Sequence, residues 1–72
     1  MGGRTQMKRA IDLAVGDVIV DPAGREHTVT AWEVFAEICV SYATDTGHRA
    51  RVPWIAALSF DRGYAVRAKA GA

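Results

Sequence analysis

Apolar and polar positions alternate in short runs along this chain, and turn residues punctuate them. "DVIV" (17–20) is β-branched and stops at "DPAG" (21–24), where Pro22 presets φ and Gly24 accepts a positive one. "EHTVTAWEVF" (26–35) is rich in Thr, Val, Trp and Phe. Its two alternating sets are Thr28, Thr30, Trp32, Val34 and His27, Val29, Ala31, Phe35. Neither set is cleanly polar, so the pattern predicts a long strand that is bent or covered in parts on both faces. "EICVSYAT" (37–44) puts Ile38, Val40 and Tyr42 on one face and Cys39, Ser41 and Ala43 on the other. "DTG" (45–47) reads as a hairpin loop with Gly47 at positive φ. "HRARVPW" (48–54) follows, with Ala50 and Val52 inward and Arg49 and Arg51 outward. Pro53 cannot donate to a ladder and marks a strand end or an edge.

Beyond Pro53 the pattern blurs. "RVPWIAALSF" (51–60) is the densest apolar run of the chain. Its second half predicts a short helical turn near 54–59, with Val52, Leu58 and Phe60 in the core. Trp54 has two readings: a plug at one end of the core, or an indole offered to a partner. "DRG" (61–63) is a turn and "YAVRA" (64–68) a last strand. Residues 8–15 are the other stretch with helical character. Short strands at spacings of roughly ten residues predict an all-β domain, sandwich or small barrel. At this length closure is favoured because it removes unpaired edges, so the expectation is a small five-stranded barrel.

Length and charge refine this picture. Seventy-two residues make one domain with a modest core. The reading is a flexible segment at 1–9, a single β domain at 10–68 and a tail at 69–72. Half the residues are apolar and 24% charged, as in a folded domain and unlike a disordered chain. No apolar stretch approaches the roughly 18 residues of a membrane span. The basic start is interrupted by Asp12, Gly16 and Asp17, which makes a poor signal peptide. The single cysteine, Cys39, cannot form an internal disulfide, so a cytoplasmic location is expected. The net charge of +1 hides segregation. Arg4, Lys8 and Arg9 lie at one end, Arg62, Arg67 and Lys69 at the other, and all eight acids between residues 12 and 61.

"LAVGDVIV" (13–20) resembles the hydrophobic-x-x-Gly-Asp-x-hydrophobic opening of Src-homology-3-like barrels, including those of the KOW and translation-factor types. The resemblance implies that Gly16 permits a tight entry into the first strand and that Asp17 hydrogen-bonds backbone in the turn. A long bent strand, a central hairpin, a Pro-marked turn and a short final strand are similar to that plan. The chain is also similar to short actinobacterial and actinophage proteins of uncharacterised role, which implies a phage or prophage origin. The peptide-groove aromatics and acidic loop of signalling Src-homology-3 domains are not recognisable, so proline-peptide recognition does not carry over.

Catalysis finds little footing in these residues. His27, Cys39 and His48 fall short of the four ligands usual in a structural metal site. Cys39, Ser41 and Ser59 lack a neighbouring base and orienting group. The glycines are isolated in turns, so none builds a phosphate loop. The expectation is therefore a non-catalytic interaction module without cofactor or metal. It binds a protein partner or self-associates, with Arg51, Trp54 and Trp32 as candidate contacts. The alternative is a weak, sequence-independent nucleic-acid binder using Lys8, Arg9, Arg49, Arg51, Arg67 and Lys69. A metal or redox site at Cys39 ranks below both.

Overall fold

The computed structural model describes residues 5–67. Six strands form one antiparallel sheet: β1 (Thr5–Lys8), β2 (Val18–Val20), β3 (Glu26–Phe35), β4 (Cys39–Thr44), β5 (Arg49–Pro53) and β6 (Tyr64–Arg67). Their order is β1-β6-β2-β3-β4-β5. A single helical turn, α1 (Trp54–Ala57), and two 3-10 turns at Ala10–Asp12 and Phe60–Arg62 complete the chain. The molecule is predominantly β, as its alternation predicts. The closed five-stranded barrel is corrected on two counts. There are six strands among the described residues, and β1 and β5 lie at the two edges of an open order.

The added strand has a tertiary cause. "TQMK" carries no apolar alternation and is mostly exposed. It becomes a strand because β6 supplies partners from Thr5↔Arg67 to Lys8↔Tyr64. Part of the segment expected to be loose is thus an edge strand. Residues 8–15 likewise shrink to one 3-10 turn.

The two-sided pattern of β3 resolves into a change of phase. Its register with β4 shifts between Val29 and Ala31, which leaves Thr30 as an extra residue. Before the shift, His27 lies opposite Ile19, and Val29 is buried. After it, Trp32 pairs with Tyr42 and Val34 with Val40. Odd residues face the core on one side of the bulge and even residues on the other, as an inserted residue requires.

The core has two parts. Leu13, Ile19, Val29, Tyr42 and Val66 form one, and Ala10, Val40 and Ala57 the other. Trp32, Val52 and Tyr64 pack against both and join them. The Trp32 indole N–H donates to the Ala10 carbonyl at 3.0 Å. The helical turn sends Ala56 and Ala57 inward. Leu58 and Phe60, expected in the core, are exposed instead, Phe60 by 60%. The Arg9 guanidinium lies 5.0 Å from the centre of the Phe60 ring.

The turn before β2 is built on a glycine and a buried carboxylate. Gly16 has φ +99°, a conformation that a side chain would strain. Asp17 is only 4% exposed, and its carboxylate accepts from the Ala14 N–H at 2.9 Å and the Lys8 ammonium at 3.1 Å. The Asp17 carbonyl accepts from the Val29 N–H, which ties the turn to β3.

Candidate interaction surface

Apolar side chains gather where the β3–β4 turn meets the start of α1. The turn closes through the Ile38 N–H donating to the Phe35 carbonyl at 2.9 Å. Glu37 holds it at φ 64°, unusual for a residue with a side chain. The Trp54 N–H donates to the Ile38 carbonyl at 2.9 Å, and Phe35, Cys39 and Pro53 share one row of the sheet. These links bring Phe35, Ile38, Pro53, Trp54 and Ile55 to one end of the molecule. Ile55 is 82% exposed and Ile38 71%. Phe35 and Leu58 are exposed as well, whereas Trp54 is half-buried. Trp32, the other candidate indole, is half-buried with its N–H engaged on Ala10.

A second feature lies on the face of β3, β4 and β5. The rows Ala31–Ala43–Arg49 and Glu33–Ser41–Arg51 run across it. They line a shallow depression of about 540 Å³. Small side chains form its middle and the two arginines its rim. Arg49 and Arg51 are exposed and make no ion pair among the described residues.

The basic residues of the termini are placed differently. Lys8 pairs with Asp17, Arg9 with Asp12 at 2.7 Å, and Arg67 with Glu26 at 2.7 Å. Lys69 lies outside the described residues. Lys8, Arg9 and Arg67 therefore each face a carboxylate, which offsets the charge they would present to a polyanion, whereas exposed Arg62 makes no ion pair among the described residues.

A second depression, about 680 Å³, is lined by Ile19, His27, Tyr42, His48 and Tyr64 among others. The His48 ring lies 6.1 Å from that of His27 and 5.9 Å from that of Tyr42. Tyr42 and Tyr64 meet edge to face at 5.4 Å. Burial, with help from Tyr64, pushes the Tyr42 phenol up. Asp21 sits within 3.0 Å of the His27 ring, and this contact and the backbone N–H of Arg25 hold its carboxyl low. Among the described residues no group of three or more His, Cys, Asp or Glu side chains is arranged to hold a metal. Cys39 is buried. No helix of the described residues is long and apolar enough to cross a membrane.

Alternation places Arg49 and Arg51 on the outward face from sequence, and the rows they join are set by the register with β4. It does not single out Phe35, Ile38 or Ile55. Their signal is indirect: more apolar residues than one small core can cover. No family model matches the chain, and neither a curated protein nor a solved structure matches it.

Proposed function

We propose that this chain is a non-catalytic interaction module that binds a protein partner or a second copy of itself through its apolar end. The observation that carries this reading is the gathering of exposed Phe35, Ile38 and Ile55 at one junction. Single exposed apolar residues are ordinary, but several brought together mark association surfaces. Arg51 and half-buried Trp54 flank that junction, a composition suited to a binding hot spot. Strands β2 to β6, with a long bent β3, a central hairpin and the Pro53 turn, support the Src-homology-3-like plan with β1 as an addition.

The test compares the chain with Ile55→Asp. Sedimentation velocity over a wide concentration range reads self-association, and proximity labelling in cells reads a partner. The expected result is an association that the folded variant lacks. Identical behaviour of both chains in both assays removes the apolar end from the function. The nucleic-acid reading keeps the support of unpaired Arg49 and Arg51. It requires oligonucleotide binding that falls steeply with salt.

A further inference from the structure

The free edge of β5 has a readable hydrogen-bond pattern. The Thr44 N–H donates to the His48 carbonyl, and the Trp54 N–H to the Ile38 carbonyl. Residues in an antiparallel ladder alternate between bonded and non-bonded pairs. His48, Ala50, Val52 and Trp54 therefore direct their backbone groups at β4, in register with Thr44, Tyr42, Val40 and Ile38. Arg49 and Arg51 direct theirs outward, and so does the Pro53 carbonyl. The strand pairs with β4 alone among the described residues. Two N–H donors and three carbonyls are left in a row, and the row loses its donor at Pro53.

The side chains on this row carry a matching message. Arg49 and Arg51 stand on one face of β5, about 7 Å apart along the strand, and neither has an ionic partner among the described residues. Between them lies half-buried Ala50, small and on the opposite face.

We infer that the β5 edge takes an extended acidic segment of a partner protein as an added antiparallel strand. An incoming strand bonded to Arg49 and Arg51 sets two of its residues opposite them, separated by one residue. The segment that fits is acid–apolar–acid. Its carboxylates lie against the two guanidiniums beside the Ser41 and Ala43 depression, and its central apolar side chain lies next to Ala50. A second copy is a poor occupant. Full-length antiparallel pairing of two β5 strands sets Arg51 against Arg51, and a slip toward the hairpin sets Arg49 against Arg51. Like charges directly opposite are unfavourable.

This inference rests on the reading of the chain as a protein-binding module and names the partner's chemistry. Its test uses the whole chain and an acetylated, amidated heptapeptide with a central Glu-Val-Glu. Amide hydrogen exchange by NMR should show protection gained at Arg49 and Arg51, with Ala50 and Val52 unchanged. A Gln-Val-Gln peptide should bind about tenfold more weakly, the loss expected of two cross-strand ion pairs. The doubly exposed variant Arg49→Glu/Arg51→Glu should instead prefer a Lys-Val-Lys peptide. Any of these results overturns the inference: no protection of the Arg49 and Arg51 amides at millimolar peptide, equal binding of both peptides, or protection that grows with protein concentration alone. Preference for oligothymidylate over the acidic peptide also overturns it. The Ile55→Asp variant leaves β5 intact, so this test and that of the apolar end fail independently.

Discussion

Asp17 and Ile55 break the usual rule of burial in opposite directions. The turn before β2 buries a carboxylate, and the junction between β4 and α1 exposes an isoleucine. At the turn, every consequence of burial is met within the fold. Lys8 supplies charge, Ala14 supplies an N–H, and the Asp17 carbonyl holds β3. At the junction, no described residue covers the exposed surface of Ile38 and Ile55. A buried polar group that is fully partnered makes one conformation specific. An exposed apolar group adds nothing to stability until something covers it. The two regions therefore divide the work: one holds the sheet together, and the other is available for association.

The largest effect should come from the turn. Asp17→Ala leaves the Ala14 N–H and the Lys8 ammonium without their acceptor and should cost about 3 kcal/mol in urea denaturation. A loss below about 0.5 kcal/mol, the range of ordinary surface changes, would mean that the turn does not organise the sheet. Trp32→Phe keeps most of the packing between the two core parts but removes the bond to Ala10. It should cost about 1 kcal/mol, measured in the same way.

Changes at the junction should be smaller and of different sign. Glu37→Gly relieves a left-handed residue and should raise stability by about 0.5–1 kcal/mol, seen as a higher denaturation midpoint. Ile55→Ser should leave the midpoint within about 0.5 kcal/mol while lowering self- or partner affinity. A folded-state loss of several times that size would make Ile55 part of the core and erase the contrast.

The smallest effect concerns pH, and it belongs to the polar region. Asp12 is held below its ordinary range first by the side-chain bond from Arg9, and Asp21 first by that from His27. A lowered carboxyl in the folded state contributes stability above its unfolded value, near pH 4, and that contribution is lost as pH falls through the folded value. The double variant Asp12→Asn/Asp21→Asn should thus be less stable than the parent at neutral pH. The gap should close in acid. Hydrogen exchange in acid should quicken around β2 and leave the β3–β4 turn unchanged.

Alternation by itself determined the strands from β2 to β6, the Gly47 hairpin, the outward Arg49 and Arg51, and the break at Pro53. These follow from local geometry: period two, positive φ and a missing N–H act within a few residues of their cause. The tertiary structure decided what depends on distant partners. Strand β1 exists because β6 is beside it, and the two faces of β3 exchange because Thr30 is one residue too many for β4. Ala56 and Ala57 take the inward side of α1, which leaves Leu58 at its end, and Phe60 in the next turn, on the outside. The edge pattern of β5 combines both levels. Its charges can be read from the chain, but which backbone groups they accompany is set by the register with β4.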